Sequence, residues 1–435
     1  MLKNLVSDLA AFSRIAIFGF GKEGRSFYDF ALKYLPNATL CIVDKNTPQD
    51  IEESEKVVFF SGDDYLKGLE KVDLVIKSPG VSLYNLGIKY DAYNFSSTTE
   101  LFIKHFKKQI IGVTGTKGKS TLVTIIDQLL KNAKQETVLC GNIGTPAFDI
   151  VQEITPTTRV VMELSSHQLL NIKHSPHIAI LTNLFEEHLD YYKDLQEYYD
   201  AKFNILHFQN ENDILIVNLQ EPYKELNASL FQTKSVYNVF EHTLKYDVTF
   251  DVKQGFIHKS SLQILEKLVE LLKIDKETYL KTIKEFKTLP HRLEYVDTIE
   301  GVIYINDSIS TIPEATMEAV KILKNVESLI LGGFDRGIHY DSLVEYLLES
   351  DIQNIVLFSD TGKKIFESLS KSDKNLNIFY VTSLSQAVEK VHQITESGIA
   401  LFSPAASSFN EYKNFMQRGD EFKSLVIDYK QQEEK

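Results

Sequence analysis

Short apolar runs rich in β-branched residues alternate with stretches of helical periodicity along the whole chain. This alternation is typical of α/β layers built on mostly parallel sheets, and it falls into three blocks. The strands predicted in the first block are Arg14–Phe18, Thr39–Val43, Lys56–Phe60 and Asp73–Ile76. The second block has predicted strands at Gln109–Val113, Arg159–Met162, His177–Asn183 and Ile214–Asn218, then amphipathic helices near Leu262–Leu272 and Glu277–Phe286.

The third block repeats the alternation after a break at Pro290, which cannot continue the preceding helix. We therefore predict a linker at Leu289–Arg292. Beyond it the predicted strands are Val302–Ile305, Ser328–Leu331, Asn354–Phe358, Asn377–Val381 and Gly398–Phe402. We expect three α/β domains, over residues 1–93, 94–289 and 290–435, because 435 residues exceed what one core accommodates.

The composition excludes some classes of binding partner and indicates the cellular compartment. The formal net charge is −13 and no Lys/Arg-rich block appears, so neither a nucleic acid nor an anionic membrane is an expected partner. No apolar run is long enough for a membrane helix, and the N-terminus has no export pattern. Both cysteines, Cys41 and Cys140, lie in apolar runs, which is typical of reduced, buried thiols. We expect a cytoplasmic monomer.

A glycine-rich loop follows the first strand of the second block. The segment Gly112–Thr121 reads GVTGTKGKST, and helical spacing begins at Leu122. Such a loop presents backbone N–H groups and a helix N-terminus to phosphate oxygens, while a lysine neutralises the phosphates and a serine binds magnesium. Val113 occupies a position where the common loop has glycine, so this is a variant. The predicted ATP contacts are Gly115, Thr116, Lys117, Gly118, Lys119, Ser120 and Thr121.

Two further segments of the second block carry candidate metal ligands. A phosphate loop commonly has an acid at the end of a neighbouring strand to hold the metal, and Glu163 ends the predicted strand Arg159–Met162. His188 follows the next strand and is a second candidate, although a single loop histidine is more often a surface residue. Spacing alone makes Lys202, in the helical stretch Leu195–Leu206, an exposed lysine.

The first block opens with a glycine fingerprint. Gly19, Gly21 and Gly24 follow the first strand, and Asp44 ends the second strand about twenty residues later. The pattern is typical of a Rossmann-like domain whose backbone approaches a diphosphate. The same glycines could instead serve packing, and the fingerprint alone also fits a nicotinamide-dependent oxidoreductase.

Taken together, the ordered motifs resemble the Mur ligase family of peptidoglycan precursor synthesis. The central motifs are Gly112–Thr121, Gly141–Gly144, Glu163–Ser166, His188–Asp190 and Lys202. The third block adds motifs that resemble the D-glutamate-adding branch, namely Leu289–Glu294, Asn306–Ser308, Ser403–Ser408, Asn414-Phe415 and Arg418-Gly419. The resemblance implies a Rossmann-like N-terminal domain, a central P-loop mononucleotide-binding domain and a C-terminal Rossmann-like, doubly wound domain.

The resemblance also implies the reaction. ATP would convert the L-alanine carboxylate of UDP-N-acetylmuramoyl-L-alanine to an acyl phosphate, which D-glutamate would attack. Lys119, His188 and Lys202 would be catalytic, with Lys202 carrying a carbamate made from CO2, and Arg292 and Asp307 would also contact ATP. Two Mg²⁺ ions would be held by Ser120, Glu163, His188 and Lys202. Substrate contacts would come from Gly19, Gly21, Gly24, Asp44, Lys45, Ser78, Gly80, Asn142, Arg336, Ser408, Phe409 and Phe415.

Several positions depart from the family pattern. Ile309 and Arg336 stand where many relatives have lysine, and His167 and Glu187 also differ. The amino-acid acceptor is therefore the part of the assignment most affected. Other readings stay open at this point: a different ATP-dependent amide ligase similar to folylpolyglutamate synthase, the oxidoreductase, and a P-loop switch that hydrolyses ATP.

Overall fold

The computed structural model describes residues 1–185, 191–219, 235–248, 257–372, 374, 376–409 and 411–433. These residues form two compact units. The first unit covers Met1–Asp247 and Lys259–Ile283, and the second holds the described residues from Lys284 onward together with Val248, Ile257 and His258. Among the helices described, none has the length and apolar character needed to cross a lipid bilayer.

The first sheet of the first unit is entirely parallel and Rossmann-like. It contains β1 (Arg14–Phe18), β2 (Thr39–Val43), β3 (Val57–Phe60), β4 (Leu74–Lys77) and β5 (Phe95–Ser96), in the order β3-β2-β1-β4-β5. The helices around it are α1 (Leu2–Leu9), α2 (Lys22–Tyr34) and α3 (Thr98–Phe106), with 3₁₀ turns at Gly62–Leu69, Tyr90–Ala92 and Lys107–Gln109. Strand order reverses between β1 and β4, the place where such sheets bind ligands.

The second sheet, also in the first unit, is parallel as well. Its strands are β6 (Ile110–Thr114), β7 (Thr137–Gly141), β8 (Arg159–Glu163), β9 (Ile178–Leu181), β10 (Ile214–Val217) and β11 (Ser235–Asn238). They run in the order β11-β10-β9-β6-β8-β7. The helices are α4 (Lys119–Asn132), α5 (Ser166–Leu169), α6 (Leu195–His207), α7 (Lys259–Leu272) and α8 (Lys276–Glu285). Strand β6 lies where the order switches, so its carboxyl end opens into the crevice of this sheet.

The second unit is built on one mixed sheet. Its strands are β12 (Glu294–Ile299), β13 (Val302–Asn306), β14 (Val326–Gly332), β15 (Asn354–Phe358), β16 (Asn377–Val381) and β17 (Gly398–Phe402). The order is β12-β13-β17-β14-β15-β16, and only the β12–β13 pair of this sheet is antiparallel. The helices are α9 (Pro313–Leu323), α10 (Asp341–Glu349), α11 (Ser359–Leu369), α12 (Leu384–Ile394) and α13 (Phe415–Glu433).

Packing explains why the first two sheets belong to one unit. A single apolar cluster runs from the N-terminal helix through both sheets. Within it the ring of Phe148, beyond β7, lies 5.5 Å from Phe27 and 4.8 Å from Phe30 of α2. Aromatic pairs at such distances add to the stability gained by burying their area. In the second unit, separate apolar clusters cover the two faces of the sheet.

The predicted α/β fold class is confirmed, while the proposed boundaries of the three domains remain a prediction.

Candidate active site

The glycine-rich loop connects β6 to α4 at the switch point of the second sheet. It begins after Thr114 and ends at Gly118, the residue before the helix, whose φ is +81°. The first N–H groups of a helix have no partner within the helix, so those at the start of α4 are available to an anion. Gly115 has φ +143°, and a Cβ there would lie 2.0 Å from the Thr182 hydroxyl oxygen. Only glycine fits this position.

Two lysines meet at the loop. The Nζ atoms of Lys119 and Lys202 both donate to the carbonyl oxygen of Gly115, each at 2.8 Å, and Lys119 also donates to Thr116 O at 2.9 Å. Lys202 is only 2 % exposed. The prediction from spacing alone that Lys202 is exposed is therefore wrong, because the face of α6 that carries Lys202 packs against the loop. Lys202 therefore touches the loop, and the catalytic role that the family resemblance implies for it stays a prediction.

Tyr198 is a site residue that sequence reasoning missed. It lies one helical turn before Lys202, fully buried, and the Lys202 ammonium is 4.7 Å from its ring centroid. Its hydroxyl is 3.0 Å from the hydroxyl of Thr116 in the loop. The i, i+4 spacing of an aromatic residue and a lysine was the available signal, and it is too common to single out a site.

Glu163 ends β8 opposite Val113 of β6, so its carboxylate lies at the same edge of the sheet as the loop. It is 1 % exposed. Asn142, just after β7, donates to Glu163 Oε1 at 2.7 Å. Glu163 Oε2 is buried without a hydrogen-bond partner among the described residues. A buried carboxylate oxygen without a donor is costly, and a cation would satisfy it. Glu163 Oε2 is therefore a suitable cation ligand, and its sharing of a magnesium ion with Ser120 stays a prediction.

The second predicted metal site is only partly visible. His188 lies outside the described residues, as do Glu186, Glu187, Leu189 and Asp190. Within the described part of the chain, no group of three or more His, Cys, Asp or Glu side chains forms a metal cluster. Lys202 is the one predicted member of this second site whose position the structure gives.

The glycine fingerprint joins β1 to α2 and has a tightly packed side. Gly19 has φ +90°, and its Cβ would lie 2.7 Å from Val81; that of Gly24 would lie 2.3 Å from the Gly19 carbonyl oxygen. A Cβ on Gly21 or Gly80 would meet nothing within 4 Å. Packing therefore explains Gly19 and Gly24, whereas Gly21 and Gly80 border open space that a ligand could fill.

Two side chains hold the fingerprint and its neighbouring loops in place. Asp44 accepts from the backbone N–H groups of Phe20, at 2.7 Å, and Asn46, at 2.9 Å, and therefore shapes the loop that contains Lys45. Ser78 donates from its hydroxyl to Gly19 O at 2.6 Å. The predicted nucleotide-sugar residues of the first sheet thus lie together at the carboxyl ends of β1, β2 and β4.

Contacts between the two sheets of the first unit bring the fingerprint towards the Glu163 segment. Lys22 Nζ donates to Gly144 O at 2.5 Å, beside Asn142. Glu23 accepts from the side-chain amide of Gln168 at 2.6 Å and also from the Thr98 hydroxyl. Burial raises the pKa of Glu23 above its ordinary value, and these two hydrogen bonds oppose the rise. These hydrogen bonds tie the start of α2, next to the predicted diphosphate loop, to the segments that follow the predicted sugar contact Asn142 and the predicted metal ligand Glu163.

In the second unit, Asp307 follows β13 and is 3 % exposed. It accepts from the hydroxyls of Ser310 at 2.6 Å and Ser403 at 2.8 Å, and from Leu293 N at 3.1 Å. Burial raises the pKa of Asp307 to about 6, against the lowering effect of these hydrogen bonds and of the Arg292 charge. Arg292 lies in the predicted linker between α8 and β12, which contains neither helix nor strand.

Arg418 is a second residue whose role sequence reasoning did not assign. It is fully buried in α13 and donates to Ser308 Oγ and O and to the carbonyls of Ala406 and Ser407, at 2.9 to 3.1 Å. Burial lowers its pKa to about 10. The guanidinium thereby joins the loops that follow β13 and β17.

The predicted amino-acid contacts of the second unit lie near these loops. Ser408 is buried, Phe409 is exposed, and Phe415 is half-buried with its ring 6.1 Å from that of His291. Arg336 is exposed, and its guanidinium donates to Thr311 O at 3.5 Å, the limit of hydrogen-bond distance. Their contact with a substrate stays a prediction.

A strand, a glycine loop and a helix at the switch point of a parallel sheet define a P-loop nucleotide-binding protein. Residues 113–274 match the model of the Mur ligase middle domain. The chain is 33% identical over 452 aligned positions to the UDP-N-acetylmuramoylalanine–D-glutamate ligase of Clostridium kluyveri, covering 95% of this chain and 96% of that relative.

Solved structures show the same fold. The UDP-N-acetylmuramate–alanine ligase of Thermotoga maritima aligns with a TM-score of 0.57 at 18% identity, covering 97% of this chain and all of that one. The MurF ligase of Thermotoga maritima, in complex with ADP, aligns with a TM-score of 0.58 at 17% identity, covering 95% of both chains. The chain belongs to the Mur ligase family. Its similar relatives within that family carry the name UDP-N-acetylmuramoylalanine–D-glutamate ligase.

Proposed function

We propose that this protein is an ATP-dependent ligase that joins D-glutamate to UDP-N-acetylmuramoyl-L-alanine. The phosphate loop carries the proposal, because it lies at a sheet switch point with Glu163 on the adjoining strand and Lys202 against its backbone. Sequence identity over 95% of the chain to a ligase of that name supports the choice of substrates over a nicotinamide-dependent oxidation or a folate substrate. A cytoplasmic monomer remains our expectation for its setting.

The chemistry requires activation of a carboxylate. A carboxylate resists attack by an amine because oxide is a poor leaving group. The carboxylate oxygen of the L-alanine residue attacks the γ-phosphorus of ATP, the bond to the β-phosphate oxygen breaks, and an acyl phosphate and ADP form. The amine of D-glutamate then attacks the acyl carbon, loses a proton and displaces inorganic phosphate. Positioning and electrostatic stabilisation supply most of the acceleration in such reactions.

Each group at the loop has a part in that reaction. The N–H groups at the start of α4 and the Lys119 ammonium would bind the ATP phosphates. Glu163 Oε2 and the Ser120 hydroxyl would hold magnesium, with Asn142 fixing the other oxygen of Glu163. Bound there, magnesium supplies positive charge that offsets charge on the transferring phosphoryl group. A second magnesium would be held by His188 and Lys202.

Lys202 is proposed to act as a carbamate. The Nζ atoms of Lys119 and Lys202 share the Gly115 carbonyl oxygen, so the nearby Lys119 ammonium would attract an anionic carbamate on Lys202. Its neutral amine would add to CO2, forming an N–C bond and releasing one proton. The product is an anion that can coordinate cations. Lys119, which also contacts the loop, would remain the cationic partner of the phosphates.

Phosphate release gives a direct test. Enzyme, ATP, MgCl2 and UDP-N-acetylmuramoyl-L-alanine are combined with D-glutamate, L-glutamate or other amino acids in turn. We expect release with D-glutamate alone, accompanied by the amide product in a mass spectrum. Release without any amino acid would indicate an ATP hydrolase, and release with another amino acid would reassign the acceptor. The Lys119→Ala variant, which should lose ATP use while still binding the nucleotide sugar, is the matched control.

A further inference from the structure

Asn183, two residues beyond the end of β9, makes an unusual set of contacts with the phosphate loop. Its side-chain oxygen accepts from the N–H groups of Thr116 at 3.1 Å and Lys117 at 2.8 Å. Its side-chain amide donates to Lys117 O at 3.1 Å, and its own carbonyl accepts from Thr116 N at 3.0 Å. One asparagine therefore binds the backbone of two successive residues of the loop.

Thr182 adds to the same contact. Its hydroxyl donates to Lys117 O at 2.9 Å, and it is 3 % exposed. The Thr182 hydroxyl is also the atom that a side chain on Gly115 would strike. The loop thus lies flat against the end of β9, and glycine at 115 permits that approach.

These bonds decide which backbone donors a phosphate can reach. The N–H groups of Thr116 and Lys117 point to Asn183, so the donors left to a ligand are at Gly118 and the first turn of α4, from Lys119 to Thr121. Because the N–H groups of Thr116 and Lys117 are bound to Asn183, the positions of the first residue of α4 and of the Lys119 Cα atom are fixed. A loop fixed before the ligand arrives loses less conformational entropy on binding.

We infer that Asn183, assisted by Thr182, is a positioning residue that holds the phosphate loop in its ATP-binding shape. It touches the loop backbone and acts through it. The inference rests on the proposed function only in that the loop must bind ATP. The competing possibility is that Asn183 merely ends a strand, in which case its loss lowers stability and affects both substrates alike.

The chain supplies a matched control. Asn218 directly follows β10, the strand next to β9, just as Thr182 directly follows β9, and the side-chain amide of Asn218 donates to Gln263 at 3.5 Å. The test variants are Asn183→Ala, which removes three side-chain hydrogen bonds to the loop, and Thr182→Val, which keeps shape but loses the hydroxyl. Thr182→Ser retains the hydroxyl and should rescue.

Affinity is measured by calorimetry for ADP and for a non-hydrolysable ATP analogue with MgCl2, and separately for UDP-N-acetylmuramoyl-L-alanine. We expect Asn183→Ala to weaken adenine-nucleotide binding roughly 10- to 100-fold and Thr182→Val about tenfold. A hydrogen bond is worth about a factor of ten, and only part of the three bonds lost in Asn183→Ala is expected to appear in ligand affinity, because they lie within the protein and act by ordering the loop. Binding of the nucleotide sugar should stay within about twofold of wild type, and Asn218→Ala should leave both affinities unchanged.

Two results would overturn the inference. One is unchanged nucleotide affinity in Asn183→Ala at a temperature where the variant is folded. The other is an equal loss for both substrates, as simple destabilisation would give. If the wild-type protein itself bound no adenine nucleotide, the proposed function would fail instead, so the two failures are distinguishable.

Discussion

The side-chain amide of Asn142 donates to Oε1 of Glu163 at 2.7 Å and leaves Oε2 of the same carboxylate without a described hydrogen-bond partner. The backbones of the two residues are also hydrogen-bonded, since Asn142 N donates to Glu163 O at 2.9 Å. The preceding Gly141 has φ +106°, and a Cβ there would lie 2.2 Å from Glu163 O. The turn after β7 therefore orients the Glu163 carboxylate: Asn142 holds Oε1, and Oε2 is left to bind a cation.

Asn142→Ala should weaken magnesium binding as well as any contact with the sugar. Without the amide, the carboxylate can rotate and must hold the metal from a less ordered position. Loss of such a supporting hydrogen bond typically costs about 10- to 100-fold in metal affinity. The measurement is the MgCl2 dependence of ADP binding with no nucleotide sugar present, so that a sugar contact cannot contribute. An unchanged MgCl2 dependence would limit Asn142 to substrate binding.

Substitution of Lys202 tests the carbamate. Lys202→Ala and Lys202→Arg should each lower turnover at least about 100-fold, because neither side chain can take up CO2 and arginine keeps the positive charge. Acetate should partly restore Lys202→Ala by supplying a carboxylate in the vacated space. With ¹³C-bicarbonate, the wild-type protein should show a carbamate carbon signal that both variants lack. Full activity in Lys202→Ala would remove the carbamate from the mechanism.

Local pattern predicted most of the fold because the strands are buried on both faces and read as continuous apolar runs. The pattern missed β5, β7, β11 and β12. The residues of β12 are mostly half-buried, so its sequence EYVDTI shows no apolar run. Its pairing with β13 depends on a two-residue turn at Glu300-Gly301, with φ of +48° and +87°. Such turns are signalled by Asn-Gly or Asp-Gly much more strongly than by Glu-Gly.

The residues of the candidate site likewise divide into those that a local sequence motif predicts and those that only tertiary contacts place. Those fixed by a local motif, such as Lys119 and Ser120, were predictable because the loop chemistry requires them at one spacing. Asn183 and Tyr198 were not, since their contacts with Thr116 span 67 and 82 positions. Lys202 needed the family resemblance, because a helical lysine is exposed unless tertiary packing covers it.

A pair of glycines separates packing from ligand binding in the fingerprint. Gly24→Ala places a Cβ 2.3 Å from a backbone oxygen, so the helix must shift; overpacking of this kind costs about 1–3 kcal/mol of stability. Gly21→Ala meets open space at a negative φ of −77° and should change stability by less than about 1 kcal/mol. We nevertheless expect Gly21→Ala to weaken binding of the nucleotide sugar tenfold or more, since its methyl group would occupy the ligand's approach. Thermal melting measures the stability of both variants, and calorimetry measures their affinity for the nucleotide sugar. Unchanged affinity in Gly21→Ala would mean that Gly21 does not border the bound ligand.

Asp307 should make the stability of the protein depend on pH in a specific direction. Burial raises its pKa from an ordinary 3.8 to about 6 in the folded state. Between these values the folded protein holds a proton that the unfolded chain releases, so the free energy of unfolding falls as pH rises through this window. The stabilisation is fully present below about pH 4 and lost above about pH 6, and it amounts to on the order of 2–3 kcal/mol.

Asp307→Asn isolates that contribution. An asparagine amide can turn its oxygen to Leu293 N and its nitrogen to the hydroxyls of Ser310 and Ser403, which can accept, so the variant should fold. Urea denaturation at intervals from pH 4.5 to 7.5 should show wild type losing stability relative to Asp307→Asn as pH rises. Subtracting the two curves removes other titrating groups, including His291, whose pKa burial lowers. Parallel curves across this range would mean that Asp307 is already ionised in the folded protein at pH 4.5, and that its three hydrogen bonds outweigh its burial.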